Sequence, residues 1–308
     1  MYRTIIGILV CGVWLITCKR QARDLTTTSS EIASEHQTTD LVGDSTFTSG
    51  VEGPAVSENG EIYAVNFERQ GTIGKITASG AASLFITLPD SSIGNGIRFL
   101  SNGDMIIADY TRHNILRVDM STGVISEWVH EPRMNQPNDL AVTSTDIIFA
   151  SDPNWAQSTG QLWRIDPQGT TTLLEGDMGT TNGLEVSPDD RTLYVNESVS
   201  RKVWAYDLSP QGDISNKRLL LEFPDYGMDG MRCDSAGNLY ITRYGKGSVA
   251  VVSPQGKIIN EYFTKGKNTT NIAFGGPDGK TCYITVADRG SLEVLHAKLP
   301  GRSWVLNH

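Results

Sequence analysis

Residues 183–198 read GLEVSPDDRTLYVNES, and this stretch decides the fold. It begins with the short apolar segment GLEV, continues through the turn-forming residues SPDD, and ends in the alternating segment RTLYVNES. Alternation of apolar and polar residues with a period of two predicts a β-strand, and Pro and Asp between two such segments predict a tight turn. The stretch therefore predicts two successive strands joined by a turn.

The same pattern occurs six times along the chain. The copies begin at residues 53, 96, 139, 183, 230 and 272, so successive copies start 42 to 47 residues apart. A period of this length suits four short strands with three turns, which is one blade of a β-propeller. The sequence predicts an all-β fold, a six-bladed β-propeller with four-stranded blades, although the period alone leaves a solenoid open. The other five copies read GPAVSENGEIYAVNF, GIRFLSNGDMIIADY, DLAVTSTDIIFASD, GMRCDSAGNLYITRY and IAFGGPDGKTCYITVAD.

Further segments supply the third and fourth strand of each blade. ILRVD at 115–119 and VWAYD at 203–207 suit third strands, and VISEWV at 124–129 suits a fourth. The last copy lacks an outer strand. We expect residues 42–48 to fill that place and to close the ring by pairing the two chain ends, which would also hide exposed strand edges.

Composition and charge exclude several classes of function. The net charge is −9 and no run of five basic residues occurs, which argues against a nucleic-acid partner. No segment has a sustained helical period, so an α/β fold is not expected. The sequence contains no G-x-S-x-G motif, which removes the usual signature of a serine hydrolase.

The N-terminus has the pattern of an export signal. Arg3 precedes an apolar stretch at residues 5–17, which is too short to span a bilayer, and LITC at 15–18 resembles a bacterial lipobox ending at Cys18. We expect a signal peptide at 1–18, a flexible tether at 19–40 and the propeller at 41–308. The protein would then be an exported lipoprotein of the bacterial periplasm or cell envelope that touches the membrane only through its lipid anchor. A plainly cleaved signal and an uncleaved anchor are the alternatives.

Two further expectations concern the folded domain. Cys233 and Cys282 stand in different repeats at non-equivalent positions, so we expect two buried free thiols rather than a disulfide. We also expect the domain to be a monomer.

One position of the repeat carries a side-chain oxygen in all six copies. Equivalent positions of the innermost strands converge on a propeller's central channel, so these side chains would form a ring of oxygens. Calcium binds six to eight such ligands, and the two carboxylates would balance its charge. The alternative is that Asn and Asp simply favour turns before strands, which applies most to Asn95 and Asn271. The six residues are Glu52, Asn95, Asn138, Asn182, Asp229 and Asn271.

Several separate motifs resemble one known family. VEGPA with SENGEIYAVNF, QPNDLAV, TNGLEVSPDDRTLYVNES and MDGMRCDSAGNLYITRYGKGSVAVVSPQG, over roughly residues 50–295, are similar to the senescence marker protein (regucalcin), gluconolactonase and diisopropylfluorophosphatase family. The resemblance implies a lactonase with one divalent ion, usually Ca²⁺, held by the residues matching Glu52, Asn182 and Asp229. It also implies that Asn138 contacts the metal or the substrate.

Two departures from the family pattern affect the expected substrate. Gln136 stands where the animal enzymes carry an Arg that contacts the sugar. We expect Gln136 to bind substrate at this position, and the change from Arg leaves the identity of the lactone open. The histidine proposed for the organophosphate-hydrolysing branch has no counterpart, because Ala287 and Asp288 stand in that segment. We therefore expect opening of a lactone, a sugar lactone as in gluconolactonase, rather than phosphotriester hydrolysis.

The expected catalytic residue is Asp229, because a carboxylate beside the metal can accept a proton from the attacking water. The alternative is that Asp229 is purely a ligand. We expect Trp155 to bind substrate and, with Phe67 and Tyr226, to form the pocket wall. Two rival interpretations are a calcium-stabilised, non-catalytic sugar- or ligand-binding propeller and a strictosidine-synthase-like propeller, which would not need the ring.

Overall fold

The structure, a computed structural model, describes residues 38–308. The expected signal peptide, Cys18 and the tether as far as residue 37 lie outside the described residues. Within residues 38–308 no helix has the length and hydropathy needed to span a membrane.

The described chain consists almost entirely of strands. The helix α1 is Arg302–Asn307. The strands are β1 (Thr39–Val42), β2 (Phe47–Val56), β3 (Ile62–Phe67), β4 (Thr72–Ile76), β5 (Ala82–Thr87), β6 (Gly94–Phe99), β7 (Met105–Asp109), β8 (Asn114–Val118), β9 (Ile125–His130), β10 (Leu140–Val142), β11 (Ile148–Asn154), β12 (Thr159–Ile165), β13 (Thr171–Met178), β14 (Thr181–Val186), β15 (Thr192–Glu197), β16 (Lys202–Leu208), β17 (Ile214–Glu222), β18 (Met231–Cys233), β19 (Leu239–Arg243), β20 (Ser248–Val252), β21 (Ile258–Phe263), β22 (Thr269–Gly275), β23 (Thr281–Val286) and β24 (Ser291–His296).

These strands form six four-stranded antiparallel sheets, which are the blades of a six-bladed β-propeller. Five blades use four consecutive strands, from β2–β5 to β18–β21, and the sixth has the order β1-β24-β23-β22. The inner strands β2, β6, β10, β14, β18 and β22 each contact the next, and β22 contacts β2, so they surround a central channel. The predicted fold class is confirmed, and the closed ring excludes the solenoid.

The ring is closed by pairing the chain ends, as expected, but through an earlier segment than residues 42–48. Strand β1 pairs with β24, with Thr39 opposite Val294. Polar contacts fix its position, because the Thr38 hydroxyl donates to the Glu293 carboxylate and Asp40 forms ion pairs with Lys265 and Arg289. These contacts have no periodic signature, so the strand pattern of the sequence could not locate them.

The hydrophobic core is divided into six clusters that lie between adjacent blades. In one cluster Ile106 and Ile115 of the second blade pack against Ile148 and Trp163 of the third, and all four are fully buried. Burial of one large apolar side chain contributes roughly 1.5 to 3 kcal/mol, so these clusters hold neighbouring blades together. The free thiols of Cys233 and Cys282 lie buried in two different clusters, as expected.

The channel is closed at one end by α1. Arg302 is buried there and donates hydrogen bonds to the carbonyl oxygens of Ser187 and Val142, at 3.0 Å each, while it pairs with the Asp190 carboxylate. A cavity of about 150 Å³ remains beneath the helix. The inner strands begin at the opposite end, which is open.

Candidate functional site

A cavity of about 760 Å³ occupies the open end of the channel. Its floor is formed where the inner strands begin, and its walls come from loops that join the second strand of a blade to the third or one blade to the next. Five of the six ring residues line it: Glu52, Asn95, Asn138, Asn182 and Asp229. The sixth, Asn271, lies behind Glu52. The repeat position identified in the sequence therefore converges on one cavity.

Glycines let the inner strands approach closely at this floor. Gly183 follows Asn182, and a Cβ atom there would lie 2.4 Å from the carbonyl oxygen of Asp229. Gly230 follows Asp229, and a Cβ atom there would lie 2.0 Å from the amide carbon of Asn271. Neither distance leaves room for a side chain, so both positions require glycine for the ring to close.

Glu52 is buried, and only one of its carboxylate oxygens has hydrogen-bond partners. Oε2 accepts a hydrogen bond of 3.0 Å from the Asn271 amide and another from the Gly53 N–H. Oε1 is buried without a partner. The amide oxygen of Asn271 accepts from the Ile272 N–H at 2.9 Å, so Asn271 positions Glu52 and does not offer a free oxygen to the cavity.

Asn182 is oriented by Ser198. The Ser198 hydroxyl donates its proton to the Met228 carbonyl oxygen, so it can only accept from Asn182, whose Nδ2 lies 3.1 Å away. The amide oxygen of Asn182 is consequently left buried without a partner. Asn138 also has a buried amide oxygen without a partner. Asn95 instead donates to the Asn138 carbonyl oxygen at 3.3 Å, which ties two inner strands together.

The backbone of Asp229 is held on both sides, whereas its carboxyl group faces the cavity. Asn196 donates to the Asp229 carbonyl oxygen at 2.7 Å, and the Asp229 N–H donates to the Thr242 carbonyl oxygen at 3.0 Å. Burial raises the pKa of Asp229 well above its usual value, and the neighbouring Glu52 charge raises it further. Burial also raises the pKa of Glu52 to about 7, to which the charge of Asp139 adds. Both carboxyl groups therefore lie where a cation would stabilise their ionised forms.

The donor set fits a hard divalent cation. Three buried oxygens without partners, from Glu52, Asn138 and Asn182, line one cavity beside the Asp229 carboxyl group. An unsatisfied buried polar atom costs about 1 to 3 kcal/mol, and oxygen-only ligands with two carboxylates suit Ca²⁺. Among residues 38–308 no three His, Cys, Asp or Glu side chains form a metal site by themselves. A cation bound here would therefore depend on the amide oxygens as well as on Glu52 and Asp229.

The other residues singled out in the sequence lie in different places. Trp155 and Tyr226 line the cavity and are half-exposed, as expected of a pocket wall. Phe67 is buried in the core against Phe47, with ring centroids 5.5 Å apart, so its expected place in the wall is wrong. Gln136 is not among the described residues that line the cavity. Its N–H donates to the Asp152 carboxylate at 2.6 Å, and a substrate-binding role for it stays a prediction.

Sequence reasoning missed the residues that orient the ring. Asn196 and Ser198 lie in the quoted YVNES segment, but the alternation there predicted only the end of a strand. Tyr110, Tyr244 and Arg201 also line the cavity from the loops between second and third strands. Their common place, just after a second strand, is the signal that could have identified them.

Comparisons with known proteins identify relatives of this chain. Residues 50–288 match the model of the SMP-30/gluconolactonase/LRE-like region. The gluconolactonase of Zymomonas mobilis is 26% identical over 272 residues, a match that covers 77% of this chain and 76% of that protein. The regucalcin of Gallus gallus is 33% identical over 226 residues, covering 69% of this chain and 74% of its own length. Relatives named as lactonases support a lactone-hydrolysing function in the family.

A solved structure shows the same fold. The calcium-binding protein regucalcin from Agrobacterium tumefaciens superposes with a TM-score of 0.75 at 22% identity, covering 86% of this chain and 95% of that one. The family match spans all six repeats, from the Glu52 strand to the last blade. The chain therefore belongs to the SMP-30/gluconolactonase/LRE-like family of six-bladed β-propellers.

Proposed function

We propose that this protein is a calcium-dependent lactonase that opens a sugar lactone in the cavity at the channel mouth. The observation that carries the proposal is the convergence of three partnerless buried oxygens beside the Asp229 carboxyl group. Glu52, Asn182 and Asp229 are the proposed ligands, and Asn138 is proposed to complete the shell or to contact the substrate. When bound, the ion would act as a Lewis acid toward the lactone carbonyl.

Asp229 is the proposed general base. Its carboxyl group reaches the cavity, and a carboxylate that binds a cation through one oxygen keeps the other free to accept a proton from water. In the reaction Asp229 accepts a proton from water while the water oxygen attacks the carbonyl carbon. The ring C–O bond then breaks, and the leaving oxygen takes the proton back from Asp229. The product is an open-chain hydroxy acid, and the ionised carboxylate of Asp229 is regenerated.

The remaining residues position these groups. Asn271 fixes Glu52, Ser198 fixes the orientation of Asn182, and Asn196 holds the backbone of Asp229. Trp155 lies on the wall, where an aromatic face can pack against a sugar ring. The cavity volume of about 760 Å³ lies within the range that small-molecule sites occupy.

A panel of lactones assayed with and without a chelator tests this function. We expect the purified protein to open D-glucono-1,5-lactone or a related aldonolactone faster than the spontaneous rate in excess Ca²⁺. The activity should disappear in chelator and return when Ca²⁺ is restored. Full activity in chelator would contradict the metal dependence. Binding of lactones without hydrolysis would instead support a non-catalytic binding propeller.

A further inference from the structure

Every blade turns between its second and third strand through a residue in the left-handed conformation. The residues at this position are Gly71, His113, Ser158, Arg201, Gly247 and Gly290, with φ between 56° and 75°. Glycine adopts this conformation freely, whereas an L side chain is strained there. Three blades use glycine, so the turn itself does not need a long side chain. In the fourth blade the position is nevertheless occupied by arginine.

Arg201 is the single cation among the described residues that line the cavity. Its backbone N–H closes the turn by donating to the Glu197 carbonyl oxygen at 2.9 Å. Its Nε is buried and has no hydrogen-bond acceptor. Its side chain forms no ion pair or hydrogen bond with any residue from 38 to 308, and its two terminal nitrogens remain accessible. The two terminal nitrogens of the guanidinium therefore offer up to four donors to a ligand in the cavity.

The acidic side chains of the neighbouring loops are already engaged. Asp225 is paired with Arg243 at 2.9 Å, and the Arg243 guanidinium lies 3.6 Å from the Phe223 ring centroid. Burial lowers the pKa of Arg243, and the charge of Arg201 acts in the same direction, so the two cations are close enough to repel each other. The Glu197 carboxylate accepts from Gly179 and Ser200. Among residues 38–308, the neighbouring loops thus leave no free carboxylate to pair with Arg201.

Charge within the cavity points to an anionic ligand. If Glu52 and Asp229 balance a divalent cation, Arg201 is left as one unbalanced positive charge beside them. From this we infer that Arg201 recognises an anionic substituent of the lactone, remote from the reacting carbonyl, so that the preferred substrate is an anionic sugar lactone. A carboxylate, a phosphate or a sulfonate would each match the planar fork of a guanidinium. This inference rests on the proposed lactonase function.

The test compares matched lactones in the calcium-loaded full-length protein. The neutral substrate is D-glucono-1,5-lactone, and the anionic ones carry a carboxylate, phosphate or sulfonate at carbon 6. The quantity measured is the ratio of kcat/KM for the anionic lactone to that for the neutral lactone. Arg201→Gly removes the side chain and relaxes the turn, Arg201→Lys keeps the charge, and His113→Gly makes the same turn change in the second blade, outside the cavity.

We expect Arg201→Gly to lower this ratio by about 10- to 100-fold, the effect of losing a charge-assisted hydrogen bond, for at least one of the three anions. Arg201→Lys should keep part of the ratio, and His113→Gly should leave it unchanged. An unchanged ratio in Arg201→Gly would overturn the inference. The same unchanged ratio would result if Arg201 contacted only the carboxylate of the open-chain product, because neutral and anionic lactones both form that carboxylate on hydrolysis.

A binding experiment separates this inference from the proposed function. If no lactone is opened, the proposed function fails, and the inert lactams of the same neutral and anionic sugars can be titrated calorimetrically. The inference then predicts tighter binding of an anionic lactam by the parent protein and loss of that preference in Arg201→Gly. Equal binding of neutral and anionic lactams by the parent would overturn it.

Discussion

Replacing Asp229 by Asn separates metal binding from proton transfer. The amide keeps one oxygen that can face the cation, and it fits the same place, because Asn196 and Thr242 hold the residue through its backbone. It cannot accept the proton of the attacking water. A general base contributes typically 10²- to 10⁴-fold, so kcat should fall by that factor, or about 3 to 5 kcal/mol of activation free energy.

A second readout follows from the repulsion between the carboxyl groups of Glu52 and Asp229. The Glu52 charge raises the pKa of Asp229, so the neutral amide removes a repulsion in the metal-free protein. The metal-free variant should therefore melt at a higher temperature than the metal-free parent. Calcium should bind it more weakly, because one negative charge is missing from the ligand shell.

The assay measures kcat with the preferred lactone at a calcium concentration shown by titration to saturate the variant. Asp288→Asn is the matched control, since it makes the same chemical change on an exposed carboxylate in a loop at the open end of the channel, where Asp288 accepts from the Lys267 and Asn268 N–H groups. We expect its kcat to stay within about twofold of the parent, as for a surface group outside the site. A calcium-saturated Asp229→Asn with nearly the parent kcat would refute the role of Asp229 as base and leave it purely a ligand.

The remaining predictions concern Glu52, Ser198 and Cys18. In chelator, the free energy of unfolding should fall as pH rises from about 4.5 to about 7, because the folded pKa of Glu52 is raised and the folded protein binds more protons over that interval. Thermal melts should show this fall, and Glu52→Gln should show a smaller one, because buried Asp229 with its own raised pKa remains. A fall of the same size in Glu52→Gln would contradict the role of Glu52. Ser198→Ala should weaken calcium binding about tenfold, the usual effect of losing a residue that orients a ligand, because Asn182 loses its hydrogen bond to the Ser198 hydroxyl. Calorimetric titration measures the Kd, and an unchanged Kd would show that Asn182 does not need this hydrogen bond. Cys18→Ser should release the protein from the membrane fraction if Cys18 is acylated, whereas retention would favour an uncleaved anchor.

The sequence predicted the blades because their signal is local and repeated. Strands such as Met105–Asp109 are buried along their whole length between neighbouring blades, and the same pattern returns in every repeat. The ring position could be identified for the same reason, since Glu52, Asn182 and Asp229 occupy equivalent places in different blades. A single Asn or Asp before a strand indicates only a turn, whereas an oxygen-bearing side chain at the same position of all six repeats predicts one shared site.

The parts that could not be predicted depend on contacts between distant residues. Whether a ring amide offers its oxygen or its nitrogen is decided by a partner from another strand, such as Ser198 for Asn182. Asn271 occupies the same repeat position as Asn182, yet its amide oxygen accepts a hydrogen bond from the Ile272 N–H of its own strand and its amide nitrogen donates to Glu52. The closing strand at Thr39–Val42 is likewise fixed by ion pairs with residues far along the chain. None of these contacts leaves a repeating pattern in the sequence.

A layer of buried charge beneath the ring links the site to the rest of the channel. Asp139 follows Asn138 directly and is fully buried, with Arg98 at 3.1 Å and Arg232 at 3.3 Å from its carboxylate. Burial lowers the pKa of Arg98 to about 10, to which the charge of Arg232 adds. Buried ion pairs contribute little net stability, because desolvation offsets their attraction. Their effect here is positional and electrostatic. They fix the segment that leads from Asn138 into β10, and the Asp139 charge makes Glu52 harder to ionise unless a cation lies beside it.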